Sequence, residues 1–263
     1  ESARERILCD KVIIACGGLA GTKLGGSMSG YKLLNKLGHK STRLRPSLVQ
    51  IKADWSGCAA LKGVRANCYV LGDEKSGDCA VIDPGGNPEI IQGYLQERGY
   101  TCRGIFLTHA HDDHSKGLVP LKEALGCPCY MHEGDKGLEM RRRIKGGYEM
   151  YKCFPEPEDM NYCKEGDCFA IGELTLEVLE TPGHTMGGLT FRCGNVLFTG
   201  DTLFRLSTGR ADLGGDFDVE LQSLKKLALL PGDYEVLSGH GEPSTLQFER
   251  DHNPWMKQAM ERE

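Results

Sequence analysis

Thr108-His109-Ala110-His111-Asp112-Asp113-His114 places three imidazoles and two carboxylates in seven consecutive positions. The apolar run Ile105-Phe106-Leu107 precedes it, and Ser115-Lys116-Gly117-Leu118-Val119, of helical character, follows. The segment therefore reads as a loop at the C-terminal end of a strand, where ligands can converge. Imidazole nitrogen and carboxylate oxygen are the donors that Zn2+ and other borderline first-row dications select. Donors this dense predict a catalytic metal site.

Working outward, three further polar loops each follow a predicted strand. Thr181-Pro182-Gly183-His184-Thr185 follows a strand at 174–179, Thr199-Gly200-Asp201-Thr202 one at 195–199, and Ser238-Gly239-His240-Gly241 one at 235–237. In each, a glycine beside the donor lets the backbone turn sharply and project one side chain from the sheet's end. Together with the first loop they supply His109, His111, His114, His184, His240, Asp113 and Asp201. Five histidines and two aspartates are enough for two metal ions.

The chain has 263 residues, 40% hydrophobic and 26% charged, which suits one large or two modest soluble domains. A net charge of −5 and the lack of a basic stripe argue against nucleic-acid partners. The local run Arg141-Arg142-Arg143-Ile144-Lys145 is read as a solvated helix face. No apolar stretch is long enough to span a bilayer or to act as a signal segment, so a cytoplasmic location without membrane partners is expected. The first residue is Glu1, and the natural start is expected to lie upstream. Twelve scattered cysteines, with no CxxC pair, are expected to be reduced thiols.

From about Asn67 strands and helices alternate. A hairpin is expected from 69–71 and 80–83, and a helix over 87–98 with Asn87 as N-cap and Gly99 as terminator. Then come the Ile105 strand, a helix from Ser115 to Leu125 and a short strand at 129–131. Residues 133–165 are predicted to form one helix plus a long loop over the site. Strands at 174–179, 189–192 and 195–199, a helix at 217–229, a strand at 235–237 and a helical end broken at Pro254 complete the pattern.

The HxHxDH loop, the lone His184, Asp201 and the final Gly239-His240 resemble the metallo-β-lactamase superfamily from Asn67 onward. Ile82-Asp83-Pro84-Gly85-Gly86 and Gly200-Asp201-Thr202-Leu203-Phe204 share the resemblance. It implies an α/β fold of four αββα layers. It also implies that His109, His111 and His184 hold a first metal, Asp113, His114 and His240 a second, and that Asp201 bridges them. Asp112 is read as a solvated neighbour. Two Zn2+ are expected, iron or manganese being the other candidates. Two such ions can share a water and lower its pKa to about 7, which gives a hydroxide nucleophile at neutral pH. Asp113 is the expected catalytic residue, orienting that nucleophile or relaying a proton. Asp83 stands either as an orienter of the imidazoles or as a structural turn carboxylate.

Thr202 to Arg205, Gly209-Arg210-Ala211-Asp212, Gly239 to Thr245 and Asn253-Pro254-Trp255 look like the short hydroxyacylglutathione hydrolase (glyoxalase II)-like branch. The resemblance implies a small-molecule thioester as substrate. The sequence ends at Glu263, soon after His240, so the extra C-terminal helical domain of the long glyoxalase enzymes is expected to be missing. Arg210 and Asp212 are expected to ion-pair. A mononuclear-iron persulfide dioxygenase is the alternative. A true β-lactamase is disfavoured, since Cys is common there at the position of Asp201.

Residues 1–66 resemble something unrelated. Asp10-Lys11-Val12-Ile13-Ile14-Ala15-Cys16-Gly17-Gly18, the glycine stretch to Gly30 and Leu44-Arg45-Pro46-Ser47-Leu48-Val49 are similar to an internal piece of BaiN-like FAD-binding flavoproteins. This implies a small, incomplete α/β flavoprotein-like fragment. The dinucleotide fingerprint is absent, so FAD is not an expected cofactor. A flavin-linked redox protein with the hydrolase-like part as an accessory module is the second-class reading.

Overall fold

The computed structural model describes residues 50–52, 66–144, 147–153 and 155–262. The flavoprotein-like resemblance therefore lies outside the described residues, apart from Gln50–Lys52 and Ala66. Gln50–Lys52 form β1, which pairs antiparallel with the start of β2 (Asn67–Gly72), so the sheet draws a strand from upstream of the expected boundary at Asn67.

β3 (Asp78–Ile82), α1 (Pro88–Arg98), β4 (Thr101–Phe106), the short helices α2 (Asp112–Ser115) and α3 (Leu118–Leu125), and β5 (Cys129–Met131) follow. The hairpin β6 (Glu139–Ile144) and β7 (Gly147–Lys152) precedes β8 (Asn161–Tyr162). The first sheet runs in the order β1-β2-β3-β4-β5-β8 and is parallel from β3 onward. The second half supplies β9 (Cys168–Ile171), β10 (Leu174–Glu180), β11 (Leu189–Cys193), β12 (Val196–Gly200), α4 (Phe217–Ala228), β13 (Glu235–Ser238), β14 (Ser244–Thr245), α5 (Leu246–His252) and α6 (Pro254–Glu261). Its sheet runs β14-β13-β12-β11-β10-β9, with only β12 and β13 parallel.

Alternation along the strands builds the layers. Val81 and Ile105 face outward into a core with Ile91 and Leu95 of α1 and Leu118 and Leu121 of α3. Their neighbours Ala80, Ile82 and Phe106 face the other way, against Leu176, Val178, Phe191 and Phe198 of the second sheet. On that sheet's far side, Leu197 and Val236 pack on Leu221, Leu224 and Leu227 of α4 and Met256 of α6. Successive side chains pointing to opposite faces thus give helix, sheet, sheet, helix, the expected four layers.

The details depart from expectation in four places. The histidine segment is not all loop, because Asp112 to Ser115 make a helical turn, with the amides of His114 and Ser115 both donating to His111 O. Gly117 then separates this turn from α3, so the helix expected from Ser115 to Leu125 is two pieces. Asn87 occupies the N-cap position of α1 but is left-handed, at φ 51°, and its side chain makes no capping bond. The helix expected within 133–165 is a 3-10 turn at Glu133–Asp135 and the β6–β7 hairpin, so Arg141–Ile144 lie in a strand. The hairpin register sets Glu139 opposite Lys152, opposite charges that favour cross-strand pairing.

The nine described cysteines are free thiols, and only Cys102 and Cys168 are not buried. Among the described residues no helix is long and apolar enough to cross a membrane.

Candidate metal centre

Five strand ends converge on one edge of the sandwich. Asp83 follows β3, Thr108 to His114 follow β4, His184 follows β10, Asp201 follows β12 and His240 follows β13. Gly200, at φ 49°, turns the chain into Asp201. A Cβ there would come within 2.3 Å of Thr108 Oγ1, so only glycine lets the two loops meet.

The structure brings the seven predicted residues together as three overlapping groups of donors. His109, His111 and His184 form one, Asp113, His114 and His240 another, and Asp201 joins His109 and His114 in the third. Asp201 is central, with His114 Nε2 and His240 Nε2 each 3.3 Å and His184 Nε2 3.5 Å from its oxygens. Asp112 is in none of these groups. It is buried rather than solvated, and burial and then Asp113 push its carboxyl pKa up.

Counting hydrogens shows what the cluster is built to hold. His184 Nδ1 lies 2.8 Å from Arg210 O and His111 Nε2 3.1 Å from Leu213 O, and a carbonyl can only accept, so both nitrogens carry the ring hydrogen. In neutral rings the other nitrogens, His184 Nε2 and His111 Nδ1, are bare lone pairs 2.9 Å apart. His114 Nδ1 donates to Asp83 Oδ2 at 3.0 Å. Thr108 Oγ1 also donates to Asp83, at 2.6 Å, so it accepts from His109 Nδ1 at 3.1 Å. His109 Nε2 is left buried without a partner. Convergent lone pairs and a buried ring nitrogen without a partner fit a metal cation.

Asp83 thus orients His114 directly and His109 through Thr108, and its Oδ1 accepts from the Thr108 amide at 2.7 Å, so it is both an imidazole orienter and a structural turn carboxylate. It does so from a left-handed backbone, φ 53°. Asp135 was not among the predicted residues. Buried in the 3-10 turn, its Oδ2 accepts from the Ala110 amide at 2.8 Å and from Thr185 Oγ1 at 2.9 Å, and its Oδ1 accepts from the Gly187 amide at 2.7 Å. One carboxylate therefore ties the His109–His111 loop to the His184 loop. Arg210 and Asp212 form the expected ion pair at 2.7 Å, on the surface.

The electrostatics divide the imidazoles. Burial lowers His109 well below the ordinary histidine range and takes His184 down to about 4. Burial opposes the charged form of His114 too, yet Asp201, Asp113 and Asp83 hold it well above that range. His240 is likewise pushed up to about 10, chiefly by Asp201 and Asp113 against its burial. Burial disfavours the charged form of Asp201, but His114 and His240 hold it well below the usual carboxylate range. Both upward shifts favour the protonated imidazoles of His114 and His240 beside the Asp201 and Asp113 carboxylates.

The sequence profile of the metallo-beta-lactamase superfamily matches residues 61–240, which span the histidine turn and every other donor. The chain belongs to this superfamily. Among its superfamily relatives, the probable metallo-hydrolase YqgX of Bacillus subtilis is 34% identical over 198 residues, covering 73% of this chain and 93% of the relative. The hydroxyacylglutathione hydrolase GloC of Haemophilus influenzae is 32% identical over 200 residues, covering 72% and 92%. Of solved structures, the BLEG-1 B3 metallo-beta-lactamase matches with TM-score 0.67 at 31% identity, covering 80% of this chain and 99% of that one. TTHA1623 in a di-iron-bound form matches with TM-score 0.61 at 34% identity, covering 74% and 97%.

Proposed function

We propose that the protein is a binuclear metallohydrolase of the thioesterase type, acting on small acyl thioesters such as hydroxyacylglutathiones. The observation that carries the reading is the pair of three-residue donor groups sharing the neighbourhood of Asp201, with the His111 and His184 tautomers fixed so that their bare nitrogens face inward. His109, His111 and His184 would hold one ion and Asp113, His114 and His240 the other, with Asp201 between them. Two Zn2+ suit the N/O donor set, and the di-iron form of TTHA1623 supports iron as the other candidate. Bound dications lower the pKa of water towards neutrality and polarise an acyl oxygen.

The chain's own residues do the rest. Asp83, Leu213 O and Arg210 O hold the imidazoles in register, and burial keeps His109 and His184 neutral and able to ligate. Asp113 Oδ2 is 3.3 Å from His240 Nε2, and its side chain is more exposed than that of Asp201, so it faces incoming substrate and can orient water or pass a proton. A thiolate leaving group needs little protonation, which suits a site whose acid–base groups are mostly committed to metal. The GloC relative supports the thioester assignment.

Metal analysis with a hydrolysis assay tests the reading. Two equivalents of metal with turnover of S-lactoylglutathione is the expected result. One iron with oxygen consumption on a persulfide would replace it with dioxygenase chemistry. The match to BLEG-1 favours β-lactam hydrolysis as a second reading, and turnover of a chromogenic β-lactam without thioester cleavage would install it.

A further inference from the structure

Glu220, on the first turn of α4, is fully buried beneath the metal loops and belongs to none of the donor groups. Its Cα and Cβ would lie 2.2 and 2.3 Å from a Cβ at Gly183, the residue before His184, so the two backbones are in direct contact. Its Oε2 has no hydrogen-bond partner, and its Oε1 lies 2.6 Å from Thr208 Oγ1. The same hydroxyl lies 2.8 Å from Thr202 O, the carbonyl next to Asp201.

A threonine hydroxyl has one hydrogen to give. A backbone carbonyl only accepts, and so does an ionised carboxylate, so with Glu220 charged one of these two short contacts would have no hydrogen in it. With the hydrogen on Glu220 Oε1, both are satisfied: the carboxylic acid donates to Thr208, and Thr208 donates to Thr202. A buried, unpartnered Oε2 is also far less costly as a neutral C=O than as part of a carboxylate. Burial, chiefly, raises this carboxyl to about 7, with Asp201 adding to the shift and the Gly209 amide opposing it.

What the chain of bonds reaches is the metal centre. Thr208 begins the segment Thr208-Gly209-Arg210, whose last carbonyl receives His184 Nδ1. Gly209 lies so close that a Cβ on it would be 2.2 Å from Asp201 O and 2.7 Å from His184 Nδ1. We infer that Glu220 is a positioning residue that works as a neutral acid, its donated hydrogen locking the 208–210 segment in the place that aims His184 and seats Asp201. Only the metal-affinity readout of the test below rests on the metal-centre reading.

The test uses the full chain and three forms: wild type, Glu220→Gln, whose amide can still donate, and Glu220→Met, which has similar length and no donor. At about pH 6, where an ordinary glutamate is ionised, the infrared difference spectrum of wild type against Glu220→Gln should show a protonated-carboxyl C=O band belonging to the wild type. Competition of zinc against a chromophoric chelator should leave Glu220→Gln within about twofold of wild type and weaken Glu220→Met about tenfold, the scale of an outer-shell orienting loss. Absence of the band overturns the proposal, as does tight zinc binding by Glu220→Met or a loss in Glu220→Gln as large as in Glu220→Met. If no form binds metal, the metal-centre reading fails, and the band still decides the state of Glu220.

Discussion

At the scale of single residues, the centre is a set of lone pairs whose direction is fixed by carbonyls and one carboxylate. His111→Ala removes a donor from the first group, and loss of one equivalent of metal together with most hydrolytic activity is the expected outcome, read by elemental analysis and assay. Asp83→Asn tests orientation without touching a ligand. Asparagine tolerates the left-handed backbone found there, so the fold should survive, while metal affinity should fall about 10- to 100-fold in chelator competition. Acid lability follows from His184. Its folded pKa of about 4 lies below the unfolded value near 6.5, so the unfolded chain takes up a proton first as pH falls. The metal-free protein should therefore lose about 3 kcal/mol of stability from this residue between about pH 6.5 and 4, and His184→Gln should flatten that slope in urea titrations.

At the scale of elements, the sequence was legible where one rule dominated and opaque where tertiary contacts decided. The Val81/Ile82 and Ile105/Phe106 alternations made the strands plain, and glycines beside His184, Asp201 and His240 marked the loops that carry donors. The run Arg141-Arg142-Arg143 has no apolar period of either kind, so only pairing with β7 shows it to be a strand. Asp135 and Glu220 escaped notice for a related reason. Their neighbours in sequence carry no ligands, and their partners, Ala110, Thr185, Gly187 and Thr208, come from other segments. Each Asp135 oxygen accepts from a backbone amide, Ala110 on one and Gly187 on the other, so an amide in its place would point its hydrogens at one of these N–H groups. Asp135→Asn should cost about 2 kcal/mol in urea unfolding and loosen both loops it joins.

At the scale of the whole molecule, the donors span both sheets. Metal should act as a ligand of the native state alone, raising the thermal midpoint with metal concentration and lowering it with chelator. Loading should also release protons, since His114 and His240 hold theirs in the metal-free protein, so affinity should climb as pH rises, measurable by calorimetry in buffers of different ionisation enthalpy.

The wide spacing of these donors sets the order of events during folding. His109 and His240 are 131 positions apart (240 − 109), and the loops bearing them leave strands in different sheets. Closing so long a loop is entropically slow, and the cage cannot exist until both sheets have formed and met. Metal should accordingly be absent from the rate-limiting transition state. Stopped-flow experiments should find refolding equally fast with zinc or with chelator, and unfolding slowed by zinc alone. The ion would be the last part fitted and the first barrier to taking the molecule apart, so in metal-starved conditions the protein would fold on schedule and simply not last.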